Sequence, residues 1–307
     1  MSTAPLLRVG SRASPLARAQ TEWVAARLAC PHALVWIKSE GDADRTTALT
    51  GFASTGVFTA RLHAALGEER IDAAVHSLKD LPTRGPEGLT LGAVPPREDL
   101  ADALIAPRFQ TLDALPDGAS VGTGSLRRRA QLLHLRPGLS VVGLRGNVET
   151  RLNQALEGKL DAVVLAAAGL RRLGLDHHVT ERLGPPRFLP AVGQGALGIE
   201  CRADDAETIA HLSALDDPPT RRAVLAERAA LAELEGGCMI PLGAWGRDLE
   251  GGGLALDVAV FDADGRARVL AALTGPPDDP EALGRLVAQS LRAQGAERLL
   301  QRDGDPM

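Results

Sequence analysis

Cysteine is scarce in this chain of 307 residues: there are three, Cys30, Cys201 and Cys238, an odd number at wide spacing. That spacing excludes a disulfide framework and gives no zinc-ligand pattern, so no metal is expected and reduced thiols in a cytoplasm fit best. Long apolar runs are also missing. None approaches the roughly 18 residues that span a bilayer. The segment from Met1 to Arg12 lacks the apolar core and small-residue cleavage site of a secretory leader, so neither membrane insertion nor secretion is expected. Aromatic residues make up 3% of the chain and the net charge is −5, a poor composition for stacking on bases or tracking a phosphate backbone. Nucleic acid is therefore not an expected partner.

What is present is a local inversion of charge. Between Val121 and Arg151 the only acid is Glu149, against Arg127, Arg128, Arg129, Arg136, Arg145 and Arg151, and every cation is arginine. The planar guanidinium fork suits carboxylate or phosphate, so the window points to an anionic ligand; a solvated helix face is the plain alternative. Gly122-Thr123-Gly124-Ser125 follows a strand pattern and opens a helix. Arg127 stands where a dinucleotide loop would have its third glycine, and no acid ends the next strand, which disfavours a nucleotide. Ser125 instead caps a helix with Arg127 and Arg128 in its first turn. Leu144-Arg145-Gly146-Asn147 repeats the layout, with Asn147 as cap and Arg151 one turn in.

A chain of 307 residues exceeds what one core usually supports, and two or three domains of roughly 100 residues are expected. Strand patterns at 6–9, 33–38, 71–75 and 89–94 alternate with helical ones after Ser14-Pro15 and over 55–66, giving an α/β unit. A second unit follows Pro95-Pro96, with strands at 103–106, 120–122, 140–143 and 161–165. Such alternation predicts a mostly parallel sheet in the second unit. Residues 189–196, rich in glycine and proline, return the chain to the first unit, a layout expected of two hinged α/β domains like those of periplasmic binding proteins. Gln194 reads there as part of the hinge. An amphipathic helix from Pro218 to Leu234, strands at 254–260 and 266–273 and a helix at 281–293 predict a smaller α+β domain. The expected boundaries are 1–95 with 196–215, 101–190, and 218–307.

Two stretches carry candidate chemistry. Residues 71–75 deliver His76-Ser77-Leu78-Lys79-Asp80 to a strand's carboxyl end, where α/β sheets bind ligands, and a carboxylate there suits acid–base or cation-stabilising work. The stretch Leu234-Glu235-Gly236-Gly237-Cys238-Met239-Ile240-Pro241 presents Cys238 on a loop after a helix. It reads as a point of covalent attachment, with a small buried hydrophobe as the bland alternative.

These residues, taken together and in order, resemble the porphobilinogen deaminase family, also called hydroxymethylbilane synthases. The resemblance rests on Ser11-Arg12-Ala13-Ser14-Pro15-Leu16-Ala17, residues 76–82, Ser125-Leu126-Arg127-Arg128, residues 144–147, residues 189–196, Ile199-Glu200-Cys201-Arg202, Glu227-Arg228-Ala229 and the Cys238 loop. It implies a transferase of haem and porphyrin biosynthesis. In that family a dipyrromethane is bound through a thioether at the residue matching Cys238. Four porphobilinogen molecules are added head to tail with loss of ammonia, and hydroxymethylbilane is released by hydrolysis. The resemblance makes Asp80 and Cys238 the catalytic residues. It further implies cofactor contacts from Lys79, Asp80, Ser125, Arg127, Arg128, Arg145 and Gly146, and substrate contacts from Arg12, Ser14, Arg145, Arg151 and Arg172. Each pyrrole carries an acetate and a propionate, which is what the arginines are expected to hold.

One departure stands out. Most members have a Gly-Gly-Lys-Gly loop and a further lysine, where this chain has Ala53-Ser54-Thr55-Gly56 and Ala60. Weaker binding is expected from the loss, with Arg61 as a neighbouring substitute. The alternatives are an impaired paralogue or cytosolic binding protein holding a pyrrole carboxylate without turnover, and a cysteine-dependent acyltransferase or hydrolase. The last lacks a histidine base in a suitable motif. A monomer is the default, since no long apolar interface stripe is evident.

Overall fold

The computed structural model describes residues 6–37, 55–234 and 240–300, and the chain divides into two compact units, residues 1–97 with 196–221 and residues 98–195 with 222–307. The first unit contains strands β1 (Leu7–Arg12), β2 (His32–Ile37), β3 (Ala73–Ser77), β4 (Leu89–Ala93) and β10 (Leu197–Arg202), in sheet order β2-β1-β3-β10-β4. Helices α1 (Pro15–Ala25) and α2 (Thr55–Gly67) return the chain between the first three strands, so β1 runs parallel to β2 and β3. Val9, Val75 and Ile199 are buried on one side of the sheet with Val24 and Leu212. Leu62 and Leu66 of α2 are buried with Ile71. Each such buried aliphatic side chain contributes about 1.5–3 kcal/mol relative to exposure.

The second unit begins with β5 (Asp102–Ile105), β6 (Ser120–Thr123), β7 (Ser140–Gly143), β8 (Ala162–Ala166) and β9 (Glu181–Leu183), ordered β7-β6-β8-β5-β9. Helices α3 (Leu126–Leu135), α4 (Val148–Leu156) and α5 (Ala167–Arg172) follow β6, β7 and β8. The expectation of a mostly parallel sheet in this unit needs correcting. β5 is antiparallel to β8 and β9, and in the first unit β10 is antiparallel to β3 and β4. The cause is connectivity: no crossover helix leads from β4 into β5 or from β9 into β10, and only such a crossover imposes parallel pairing. Both sheets are mixed.

The third sheet is an antiparallel meander of β11 (Leu242–Asp248), β12 (Leu254–Phe261) and β13 (Arg268–Gly275). It belongs to the smaller α+β domain, with α6 (Ala206–Ser213) closing the first unit, then α7 (Pro218–Glu233), α8 (Pro280–Ala293) and a short α9 (Ala296–Leu300). Asp279 caps α8 by accepting from the Ala282 amide at 3.0 Å, and Leu283, Val287 and Leu291 turn one face of that helix into the core. Strand β11 was not anticipated, because Gly243 and Gly246 interrupt its pattern. Those glycines let other backbone come close: a Cβ on Gly246 would stand 2.5 Å from the Ala223 carbonyl oxygen. Ala130 and Leu189 share a buried cluster with Ala259 and Phe261, which joins this sheet to α3 within the unit.

Candidate active site

In the first unit the parallel pairing of β1 with β3 brings Arg12 and Ser77 to the same end of the sheet. Arg12 is the last residue of β1, not a loop residue as expected, and Lys79 and Asp80 lie in a 3-10 turn spanning Leu78–Asp80 directly after β3. Leu78 anchors that turn by being 1% exposed, while Asp80 is exposed and Lys79 half-buried. Gln20 of α1 donates to the Ser77 hydroxyl at 2.8 Å and fixes the strand end from the side. Ser14 has the extended backbone of an N-cap, and Pro15 opens the helix as predicted, but the Ser14 side chain makes no capping hydrogen bond. Ala60 is exposed on α2; Ala53, Ser54 and the Cys238 loop, residues 235–239, lie outside the described residues.

In the second unit the parallel strands β7, β6 and β8 point the same way, and the segments after them carry the expected arginines, Arg145 on a loop and Arg127, Arg128, Arg151 and Arg172 within α3, α4 and α5. Ser125 caps α3 by accepting from the Arg128 amide at 3.4 Å, and Asn147 caps α4 by accepting from Thr150 at 2.8 Å. Both caps leave further first-turn amides directed toward the strand ends. Arg145 is exposed, and Arg151 donates its Nε to the Gly146 carbonyl at 2.7 Å, with Gly146 at φ +109°. Arg172, half-buried, donates to the Gly195 carbonyl at 2.8 Å, and desolvation pulls its pKa below the usual guanidinium range.

Arg127 and Arg128 converge on a residue that sequence reasoning did not single out. Asp102, wholly buried at the start of β5, accepts from Arg127 at 2.7 and 3.1 Å, from Arg128 Nε at 2.8 Å and from Gln194 at 2.9 Å. Arg127 also donates to the Leu189 carbonyl at 2.6 Å, so its two terminal nitrogens meet protein acceptors while its Nε is buried without a hydrogen bond. Arg128 donates to the Val164 carbonyl at 3.1 Å. Burial acts to raise the Asp102 pKa, but the two guanidinium groups overcome it and hold the carboxyl down at about 2. Two buried cations share one anion, leaving a surplus positive charge at the strand ends, with Arg151 near enough to push the Arg128 pKa further down after burial and Arg127 have lowered it. Gln194 is thus part of this buried cluster, through Asp102 and Leu100, rather than only a hinge residue. The signal for Asp102 was available: an acid opening an otherwise apolar four-residue strand.

Glu227 of α7 is wholly buried and accepts from the amides of Gly193 and Gly246 at 2.7 and 2.9 Å, tying the 189–195 loop to β11. No helix among the described residues is long and apolar enough to cross a membrane.

Strand ends of mixed α/β sheets that carry guanidinium groups and capped helix starts are an arrangement that favours anionic ligands. Comparison with known proteins specifies the family. The description "Porphobilinogen deaminase, dipyromethane cofactor binding domain" matches residues 7–210, and "Porphobilinogen deaminase, C-terminal domain" matches residues 221–293. A porphobilinogen deaminase of Desulforudis audaxviator is 50% identical over 299 residues, covering 96% of this chain and 96% of the relative. Those of Gloeobacter violaceus and Brevibacillus brevis are 48% and 45% identical, each over 95% of this chain and over 92% and 96% of the relative. The chain belongs to the porphobilinogen deaminase family.

Proposed function

We propose that this chain is a working porphobilinogen deaminase, joining four porphobilinogen molecules head to tail with release of ammonia and freeing hydroxymethylbilane by hydrolysis. The observation that carries this reading is the surplus positive charge where α3 and α4 begin, since both the substrate and the growing product are polycarboxylates. Arg145, Arg151 and Arg172, with Arg128 behind them, hold acetate and propionate groups in the second unit, and Arg12 and Lys79 do so in the first. Each charge-assisted hydrogen bond of this kind contributes about 1.5–3 kcal/mol. Ser125, Gly146 and Ser14 supply backbone or hydroxyl donors. Arg127 acts by holding Asp102, and through it Arg128, in place.

The same residues fit a dipyrromethane: the buried cluster around Asp102 is one anion short of balance, and the exposed Arg145 offers a donor fork. When bound through Cys238, that group supplies the primer to which substrate is added. Asp80, exposed at the strand end, then has a defined task. Loss of ammonia from porphobilinogen leaves a cationic azafulvene, and a carboxylate within reach of the pyrrole nitrogens stabilises that charge and takes up or returns the ring protons. Arg12 and Lys79 fix the substrate's carboxylates so that the charge develops next to Asp80. The protein acts as a monomer in the cytoplasm.

The test is the intact denatured mass of the purified protein beside Cys238→Ala, before and after incubation with porphobilinogen. Two pyrrole units on the wild type alone, with transient further additions, are the expected result. Two units that are never extended would make it a binder without turnover, and no adduct under any condition would overturn the reading.

A further inference from the structure

A cluster in the first unit stands apart from the carboxylate-binding residues. His63 of α2, His76 of β3 and Glu200 of β10 bring one ligand atom each to within 4.8 Å of one another. His63 Nε2 lies 2.9 Å from Glu200 Oε2. His76 Nε2 lies 3.1 Å from the same oxygen but out of line for a hydrogen bond, so this buried nitrogen is left without one. His76 and Glu200 are 6% and 4% exposed. An imidazole nitrogen in that position is costly to leave unbonded, and a cation between the three groups would satisfy it.

We propose that His63, His76 and Glu200 form a site for one borderline divalent cation of the zinc class. Two imidazoles and a carboxylate are a donor set that zinc, cobalt and nickel take, and calcium or magnesium do not. Zinc-to-ligand distances of about 2.0–2.2 Å put neighbouring donors roughly 3.3 Å apart in a tetrahedron, so the carboxylate has to withdraw from the two nitrogens by about 0.2–0.4 Å, and the nitrogens, within 4.8 Å of one another, have to close by up to about 1.5 Å. No short ligand spacing marks the cluster: His63 and Glu200 are 137 positions apart and meet only because β10 returns beside β3. The ion would tie α2 to the strand that delivers Lys79 and Asp80, so its effect falls on the rigidity of that strand end.

The experiment uses the full-length protein with its cofactor attached, treated with chelator, dialysed and titrated with Zn²⁺ by calorimetry and with Co²⁺ by visible absorption. One equivalent per chain is expected, with a cobalt spectrum of nitrogen and oxygen donors and no thiolate charge-transfer band. His63→Ala and Glu200→Gln should each weaken binding at least tenfold. His63 keeps 14% of its side chain in solvent, so that variant is expected to fold, and it decides alone if Glu200→Gln does not. No binding at micromolar ion, a thiolate band, or unchanged affinity in His63→Ala would each overturn the proposal and leave the cluster as a histidine–glutamate pairing only.

Discussion

Asp102→Asn keeps the size of the side chain and removes the one negative charge that two buried guanidinium groups share. Arg127 and Arg128 are 4% and 6% exposed, so water cannot take over the lost role. Removing one partner of a buried ion pair typically costs about 3–5 kcal/mol, a large part of the roughly 5–15 kcal/mol that holds a domain folded. At about 2–4 °C per kcal/mol for a unit of this size, the melting temperature should fall by roughly 6–20 °C. Urea denaturation followed by circular dichroism at pH 7 measures the loss directly. In the Asp102→Asn background, Arg127→Met removes one of the two uncompensated charges and should recover about 0.5–3 kcal/mol as a coupling energy. The pH dependence has a definite sign. The carboxyl of Asp102 is held at about 2 when folded against its ordinary value of 3.8, so its stabilisation is complete above about pH 4 and drains away as the pH falls toward 2. Wild type should therefore lose about 2 kcal/mol more than Asp102→Asn over that window. A loss below about 1 kcal/mol at pH 7, or strictly additive variants, would refute the reasoning.

Asp80→Asn should lower turnover by about 10²–10³ with the fold intact, since the residue is exposed; near-normal kinetics would remove it from the chemistry. Arg145→Ala, also at an exposed position, should change stability by less than about 0.5 kcal/mol while raising KM for porphobilinogen roughly tenfold or more. An unchanged KM would show that its fork holds no carboxylate. Thr55→Lys places a cation at the position where the family resemblance leads one to expect lysine and should lower KM; no change would mean that the lysine is of no consequence here. Gly195→Ala places a Cβ 2.4 Å from the Glu98 carbonyl at φ +86° and should cost about 1–3 kcal/mol in denaturation, with no effect if the loop can relax.

Much of the architecture was legible because its signals are local. Ala162 to Ala166 is a continuous apolar strand, and Ser125 and Asn147 are caps that a few residues suffice to define. Strand direction at β5 and β10 was not, since it depends on the absence of a crossover helix. The carboxylate partner of the arginines was missed for a related reason: a single acid among apolar residues reads as a strand boundary until Arg127 and Arg128, more than twenty positions on, fold over it. Nor could the sequence rank those two arginines. Neighbours on a helix point about 100° apart, and both turn inward here only because Asp102 and the Leu189 loop converge on the start of α3.

The place of β10 between β3 and β4 also bears on how the protein is made. Roughly a hundred residues separate β4 from the strand that must sit beside it. On a ribosome moving at about 5–20 residues per second, β3 and β4 therefore wait some 5–20 s with open edges before β10 emerges to join them. The first part of the chain to leave the tunnel is among the last to complete its sheet, and residues 98–195 can organise their own strands in the interval. Nascent chains arrested before Leu197 should expose those edges to chaperones, whereas chains arrested beyond Arg202 should not.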